Sequence, residues 1–431
     1  MQNRYRSLKF TKYFLARKKK LHKFYLYLII SMDTVTKRKD FEWETKLNRV
    51  TLNIIGIWPT AYRNAYDKFL SDLRMIFSFL VIAFVGVIPS IHSLVRTWGD
   101  MLVLIDNLIF SLPLLTSAIK LVIIQWKKSD LILALNMISN DWLKAKSEKE
   151  QRVMIKYARR ARAILIFGYI LMTIAICLFV FPPCFGLSLR YVTNITDPVK
   201  ILPLQTYYLY DKDQSPYYEL TFMAQVLLLI ISALSYTGVG NLLGLLVFHL
   251  CGQMENLKGR LINMRQRKTF YDDLTFIVMD HIRLIKYFNI IENTFTFLLF
   301  TLLLYFGTLF CLYGFFIVTV LTEGREMSMI RLLFLLSAVL NTSGHMCLYC
   351  VVGEILVTQC ENIYYAAYDY KWYTLEPEKA RTLILIMIRA NKPLHITAGK
   401  IFPMTMSMFC NLIKTSSGYI SVLLARQGLQ N

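Results

Sequence analysis

Long apolar runs recur along the chain, and polar segments separate them. A helix needs about 20 mainly apolar residues to cross a bilayer. Six runs approach or exceed that length, at 75–95, 102–124, 163–181, 221–250, 294–320 and 332–352. None alternates apolar and polar residues as a barrel strand does, so the pattern predicts membrane-spanning helices.

A further apolar stretch, 396–427, differs from the other six. It carries Pro403 near its start, Lys414 in its middle and a run of small residues at 415–418. A helix that only fills a core does not need such a polar break, whereas a helix beside a water-filled path does. The stretch therefore predicts a seventh spanning helix that borders a water-filled path.

Composition agrees with an integral membrane protein. The 431 residues are 55% hydrophobic with a mean hydropathy of +0.44, above the roughly 45–50% apolar content of soluble domains. The net charge of +21 would suggest nucleic acid as the partner of a soluble protein. In a membrane protein, cytoplasmic loops rich in Lys and Arg explain it, and we expect no nucleic-acid partner.

The charges of the loops give an orientation. Lys and Arg are concentrated in 126–160, 251–293 and 354–395, and they are sparse in 96–101, 184–220 and 321–329. Because cytoplasmic loops carry the excess of Lys and Arg, the N-terminus is predicted inside and the C-terminus outside. The predicted fold class is an all-α membrane protein with seven transmembrane helices in this orientation.

The chain divides into two parts. Residues 1–72 form a basic cytoplasmic segment with a lead-in helix, and 1–31 are either an extension or an upstream start. Residues 73–427 form the seven-helix domain, in which 251–293 and 354–400 are expected to extend the fourth to seventh helices into the cytoplasm. The basic N-terminal run is suited to contact anionic membrane lipid.

Candidate catalytic chemistry is sparse. The Cys and His residues show no metal-ligand spacing, and neither a nucleophile elbow nor a phosphate loop occurs, so we expect no enzyme activity, cofactor or metal. Asn194-Ile195-Thr196 is a glycosylation sequon in a loop that the orientation places outside. Asn194 is therefore a candidate glycosylation site.

Seven helices also suggest a G-protein-coupled receptor or a transporter. The predicted orientation is opposite to that of G-protein-coupled receptors, and their Asp-Arg-Tyr and Asn-Pro-x-x-Tyr motifs are missing. No internal repeat of the kind found in secondary transporters is visible.

Several strings resemble motifs of the insect odorant receptors. The resemblance extends from about Asp40 to Gln427. Its motifs are the HLCGQMENL string at 249–257, Leu202-Pro203, YYLYD at 207–211, Ser215-Pro216, Tyr218-Glu219, YCVVGE at 349–354, Ala367-Tyr368, Trp372-Tyr373, Pro393, Thr397-Ala398-Gly399, Phe402-Pro403, Phe409, Lys414-Thr415-Ser416 and Tyr419.

This resemblance implies a function. Members of the family form tetrameric odorant-gated cation channels in the plasma membrane of olfactory sensory neurons, and ligand-tuned subunits assemble with a shared coreceptor. By this resemblance, 251–293 and 354–400 form a cytoplasmic anchor region around the tetramer axis. The chain looks shorter than the coreceptor and lacks its extended intracellular loop, so it resembles a ligand-tuned subunit. It also lacks the C-terminal Thr-Tyr…Gln-Phe pattern of gustatory receptors, the alternative chemoreceptor class.

The resemblance also implies site residues. By similarity, the outer part of the seventh helix lines the pore at Tyr419, Val422 and Ala425. The odorant, a small and mostly apolar volatile, is expected in an apolar pocket among the second, third, fourth and sixth helices. The candidate pocket residues are Asp106, Phe110, Tyr169, Met172, Thr173, Ile176, Met223, Val226, Phe334, Ser337 and Asn341.

Overall fold

The computed structural model describes residues 38–59, 64–144, 146–187, 194, 196–197, 199–264, 270–322 and 329–428. The side chains of 320–322, 330 and 419–428 are outside this description. The basic run near the N-terminus and the possible extension 1–31 lie outside the described residues, so both stay predictions.

The described residues form eleven α-helices and one short antiparallel hairpin. The helices are α1 (38–54), α2 (Ala65–Leu80), α3 (Ile88–Arg96), α4 (Met101–Trp126), α5 (Lys128–Leu143), α6 (Glu148–Cys184), α7 (Tyr217–Ile262), α8 (Phe270–Thr322), α9 (Met329–Tyr368), α10 (Pro377–Ala390) and α11 (Met406–Gly428). The hairpin pairs β1 (Thr397–Ala398) with β2 (Phe402–Pro403). A π-helical segment, Val81–Val87, joins α2 to α3 in one continuous rod.

Six helical stretches in the described part are long and apolar enough to cross a membrane. They are Ala65–Arg96, Met101–Trp126, Glu148–Cys184, Tyr217–Ile262, Phe270–Thr319 and Arg331–Thr374. Each contains the greater part of one predicted apolar run, which confirms the helical prediction for these six. The 46 residues of α7 rise about 70 Å, more than twice the roughly 30 Å of hydrocarbon in a bilayer.

The seventh predicted helix is shorter than the apolar stretch suggested. α11 begins at Met406, and the preceding ten residues turn through the hairpin instead. Gly399 and Lys400 have positive φ angles of 65° and 61°, which a helix cannot accommodate. Pro403 lies at the end of β2, where its missing N–H costs no helical hydrogen bond.

The hairpin fixes α11 to its neighbours. The N–H of Gly399 donates to the Thr296 carbonyl of α8 at 2.9 Å, and Glu292 of the same helix accepts from the N–H of Thr397 at 3.1 Å. On the other side, a carboxylate oxygen of Glu354 in α9 accepts from the N–H of Met406 at 3.2 Å. The first residue of α11 is thereby bonded to α9, since its N–H has no partner within its own helix.

The opposite end of the bundle from the 199–216 loop is called the base here. At the base, five helices meet around buried charges. His249 lies between Glu44 of α1 and Asp141 of α5, at 3.5 and 3.4 Å, and Arg283 of α8 donates to both oxygens of Asp141 at 2.6 and 2.8 Å. Arg260 extends the network to α6 through Glu150. Burial would raise the pKa of Asp141, but His249 and Arg283 hold this pKa well below its usual range.

We predict that Asp141→Asn destabilises the fold. The substitution keeps the side-chain shape but removes the charge that His249 and Arg283 share, so that His249 keeps Glu44 and Arg283 keeps Asp280 as carboxylate partners. Breaking a buried pair in this way costs on the order of 3 kcal/mol. A thermal melt of the purified protein should show a clear fall in Tm. Glu148→Gln is the control, because Glu148 pairs with Arg152 at an exposed position. Equal melting temperatures for both variants would contradict the prediction.

A second prediction concerns the packing of α9 on the hairpin. A Cβ added at Gly353 would overlap the carbonyl oxygen of Met404, and backbone cannot yield as a flexible side chain does. Gly353→Ala should therefore lower the yield of monodisperse protein in size-exclusion chromatography. Gly259→Ala, where a Cβ meets nothing within 4 Å, should leave the profile unchanged. A normal profile for Gly353→Ala would show that the contact is dispensable.

Candidate functional site

A cavity of about 120 Å³ lies among α4, α6, α7, α8 and α9, below the 199–216 loop. This is comparable to the roughly 150 Å³ apolar cavity that accepts benzene in another protein. Its lining is mostly apolar, with a few hydroxyl and amide groups. The lining residues are Ile109, Phe110, Pro113, Leu114, Ser117, Met172, Ala175, Ile176, Phe179, Leu204, Leu229, Ser232, Ala233, Tyr236, Tyr305, Tyr313, Phe334, Ser337, Ala338, Asn341 and Thr342.

Helical spacing accounts for this lining. Residues three, four and seven apart share one face of a helix. α4 contributes Phe110, Pro113, Leu114 and Ser117 in that spacing. The same arrangement recurs on α6, α7 and α9, so each helix presents one face to the cavity. The cavity is thus formed by complete helical faces rather than by isolated side chains.

Three aromatic rings close the cavity towards the 199–216 loop. Phe110, Phe179 and Phe334 come from α4, α6 and α9, and their ring centroids lie 5.0–5.5 Å apart. Both contacts of Phe179 are edge-to-face, an arrangement that aromatic quadrupoles favour. This Phe cluster gives the cavity an apolar cap.

The loop itself is fastened over the bundle. Gln225 of α7 accepts from the N–H of Leu204 at 2.9 Å and donates to the hydroxyl of Thr206 at 2.9 Å. The hydroxyl of Tyr208 donates to the Val85 carbonyl in the π-helical segment at 2.9 Å. These bonds hold Leu204 in the cavity wall, so the loop is part of the site.

The opposite end of the cavity carries the polar groups. Ser117 donates to the Pro113 carbonyl at 2.9 Å, and the hydroxyls of Tyr313 and Thr342 lie 3.3 Å apart. The rings of Tyr236 and Tyr305 complete this floor, with centroids 6.0 Å apart. The cavity is therefore apolar at the cap and partly polar at the floor.

Lys120 lies directly beneath the floor. It is 1% exposed, and its Nζ sits 3.5 Å from the centroid of the Tyr236 ring. It donates to the Tyr236 carbonyl at 2.8 Å and to the Tyr349 hydroxyl at 3.2 Å. No carboxylate among the described residues pairs with this ammonium. A buried cation within a span is costly, and the two acceptors and the ring face offset that cost.

The structure brings together some of the predicted pocket residues and separates others. Those that line the cavity are Phe110, Met172, Ile176, Phe334, Ser337 and Asn341. Tyr169, Thr173, Met223 and Val226 do not line it. The Thr173 side chain bonds to its own helix on an exposed face, Met223 is 66% exposed, and the Tyr169 hydroxyl lies against Gly238 of α7.

Asp106 lies one helical turn above the cavity. It is only 6% exposed, although it lies near the first turn of α4. It shares a small separate cavity with Arg331 of α9 and with Phe110 and Phe334 of the Phe cluster. The opposite charges of Asp106 and Arg331 interact, which explains how the carboxylate is accommodated.

The sequon residue Asn194 is buried against the 199–216 loop. Its Nδ2, the atom that carries a glycan in a modified sequon, donates to the Lys200 carbonyl and to Asp213, and its Oδ1 accepts from Lys212. Glycosylation at Asn194 stays a prediction, and a glycan there would have to replace these hydrogen bonds.

The predicted pore residues are on the terminal part of α11. The backbone of Tyr419, Val422 and Ala425 is helical, but their side chains lie outside the described part of the structure. Their role stays a prediction. The polar break before them is continuous helix, in which Ser416 is buried and Thr415 bonds to the Asn411 carbonyl of its own helix.

Sequence reasoning missed several lining residues. The fifth spanning helix, α8, contributes Tyr305 and Tyr313, although no pocket residue was expected from it. Ser117 and Phe179 lie seven residues beyond Phe110 and Met172, so extension of the helical spacing would have found both. No local signal marks the two tyrosines, because α8 is rich in aromatic residues along its whole length.

The sequence is similar to members of a known protein family. A family model described as 7tm Odorant receptor matches residues 100–417. Odorant receptor Or2 of Anopheles gambiae is 26% identical over 351 residues, covering 77% of this chain and 86% of that protein. Odorant receptor 10 of Aedes albopictus is 28% identical over 220 residues, covering 49% of this chain and only 57% of that protein.

Solved structures share the fold. The olfactory receptor OR5 from the insect Machilis hrabei, in complex with eugenol, gives a TM-score of 0.76 at 18% identity, over 91% of this chain and 99% of that one. The structure of the same receptor described without eugenol gives a TM-score of 0.72 at 17% identity, over 88% and 97%.

Proposed function

The chain belongs to the 7tm odorant receptor family, and on that premise we propose that it is an odorant-gated cation-channel subunit whose cavity binds a volatile. Family membership also places it among chemoreceptors of olfaction rather than among enzymes. The observation that carries the proposal is the cavity itself. It is mostly apolar, lined by five helices, and of a size suited to a small organic molecule.

The structural neighbour supports this use of the cavity. The receptor OR5 was solved with eugenol, a small aromatic volatile, and the present chain shares its fold. The Phe cluster and Leu204 of the fastened loop make this end of the cavity apolar, which favours an apolar ligand body. A ligand at this site would contact α4, α6, α7, α8 and α9 together and so could shift their packing.

The hairpin offers a route from the cavity to the proposed pore. α8 and α9 both line the cavity, and the same two helices bond the hairpin and the start of α11 through Thr296 and Glu354. A small shift of either helix would therefore move α11. We propose that Tyr419, Val422 and Ala425 line the ion path, with Val422 as an apolar gate that closes by dewetting.

The proposal includes an assembly and a location. We propose that the chain is a ligand-tuned subunit of a tetramer with the coreceptor, in the plasma membrane of olfactory sensory neurons. The loop charges support a cytoplasmic N-terminus, so the base lies inside and the cavity in the outer half. The helical extensions within 251–293 and 354–400 support a cytoplasmic anchor region.

We predict that filling the cavity abolishes odorant responses. Ala338 lines the cavity, and Ala338→Phe would place a ring in the space that a ligand needs. Co-expressed with the coreceptor and tested by voltage clamp against a broad panel of volatiles, the wild type should give inward currents and the variant should give none. Surface labelling must show equal amounts of both.

Leu340→Phe is the matched control, because Leu340 is on the same helix and is 67% exposed. Its responses should equal those of the wild type. Undiminished responses of Ala338→Phe would show that the odorant does not bind in this cavity. A wild type that reaches the surface but gives no current to any volatile would overturn the channel proposal.

A separate prediction concerns the gate. Val422→Ser would replace an apolar side chain by a hydroxyl, which hydrates a narrow pore and opposes closure. The leak current without odorant should rise, or the relative permeability of cations should change, in voltage-clamp recordings with the coreceptor. If neither quantity changes at equal surface expression, Val422 does not line the pore.

A further inference from the structure

Two polar side chains of the cavity wall, Ser232 of α7 and Asn341 of α9, have hydrogen-bonding capacity that their protein neighbours use weakly or not at all. We propose that Ser232 and Asn341 together bind the oxygen of an oxygenated volatile, so that the receptor selects alcohols or carbonyl compounds over hydrocarbons of the same shape. This inference rests on the proposed function of the cavity as the odorant site.

Contacts between α7 and α9 below the cavity show at which level of the bundle Ser232 and Asn341 lie. At the lower level, a Cβ at Gly240 would lie 2.5 Å from the Tyr349 hydroxyl oxygen, so the helices are in close contact there. One turn higher, the rings of Tyr236 and His345 lie 5.1 Å apart. A further turn higher come Ser232 and Asn341, each four residues before the contact below.

Both helices run from the loop end towards the base, so equal steps along each keep the residues level. At the level of Ser232 and Asn341 both residues line the cavity. From the base upwards, α7 and α9 are first in contact at the Gly240 backbone and then through the rings of Tyr236 and His345. Above these rings the two helices border the cavity. Ser232 and Asn341 lie at the level where this border begins.

Hydrogen bonding distinguishes this pair from the other polar groups of the wall. Ser117 and Ser337 donate to carbonyls of their own helices at 2.9 and 2.7 Å. In contrast, the Ser232 hydroxyl is buried with no partner among the described residues. Among the described residues, the Asn341 amide donates only to the thioether of Met172 at 3.8 Å, and sulfur is a weak acceptor.

An unsatisfied buried hydroxyl is costly, and a ligand oxygen would relieve this cost at Ser232. At the half-buried Asn341, the same oxygen would replace a weak sulfur acceptor by a strong one. The Asn341 amide can donate to a hydroxyl or a carbonyl oxygen, and the Ser232 hydroxyl can donate or accept after rotation about χ1. A ligand bound in this way has its hydrocarbon body against the Phe cluster and its oxygen towards the floor. The polarity of the cavity therefore defines both the class of ligand and its orientation.

The test uses matched pairs of ligands that differ at one group. Benzyl alcohol and ethylbenzene have the same shape, as do 1-hexanol and heptane, and one member of each pair lacks the oxygen. Ligand-observed NMR titrations of the purified full-length chain in lipid nanodiscs give a Kd for each. We expect the wild type to bind at least one alcohol more tightly than its hydrocarbon partner.

Asn341→Leu and Ser232→Ala should each reduce the preference for the alcohol by roughly 3- to 10-fold, the effect of one neutral hydrogen bond. The Kd of the hydrocarbon should not rise. Ser235→Ala is the matched control. Ser235 is on the same helix, but its hydroxyl donates to the Ser117 carbonyl at 3.1 Å and is not part of the lining. Its alcohol preference should equal that of the wild type, and thermal melts check that every variant is folded.

The outcomes separate this inference from the proposed function. If the wild type binds the alcohol and its matched hydrocarbon equally tightly in every case, Ser232 and Asn341 do not bind the ligand oxygen. The proposal of the cavity as an odorant site would be unaffected. A preference for the alcohol that survives both substitutions would lead to the same conclusion. If no member of any pair binds, or if Ala338→Phe leaves binding unchanged, the cavity is not the site and both proposals fail.

Discussion

The close approach of α7 and α9 at Gly240 is the contact on which the site depends. Because Gly240 has no side chain, the Tyr349 hydroxyl reaches the α7 backbone, and there it accepts from Lys120 of α4. Lys120 also donates to the carbonyl of Tyr236. One buried amino group thus joins three helices below the cavity. Above this junction the same helices separate, and the space between them becomes the cavity.

The arrangement connects regions that are far apart in sequence. Tyr236 forms the floor of the cavity on one face and meets Lys120 on the other. Below Tyr349 on α9, Gly353 packs against the hairpin and Glu354 binds the first N–H of α11. A ligand that displaces the floor would act on α9 and, through α9, on the proposed pore helix. At the base, the ion pairs around Asp141 join α1, α5, α7 and α8 and so oppose movement at that end of the bundle.

The sequence predicted the spanning helices well, because a run of about 20 apolar residues has few alternatives in a bilayer. It failed at the start of the seventh helix, where the positive φ angles at 399–400 leave no mark in hydropathy. Within the site, Phe110 and Asn341 were predicted from a family resemblance and do line the cavity. Met223 does not, because its side chain is on an exposed face of α7, and position along the helix does not give the direction of a side chain. The burial of Lys120 was also missed, since its acceptors come from α7 and α9 and tertiary contacts of this kind have no local pattern.

The most direct measurement is a cryo-EM structure of the receptor, assembled with the coreceptor, at a concentration of a volatile that saturates its current. We predict ligand density between the Phe cluster and Tyr236, with the ligand oxygen beside Asn341. Density at another place, such as the groove between α8 and α11 at Gly307 and Leu412, with this cavity unchanged, would contradict this prediction.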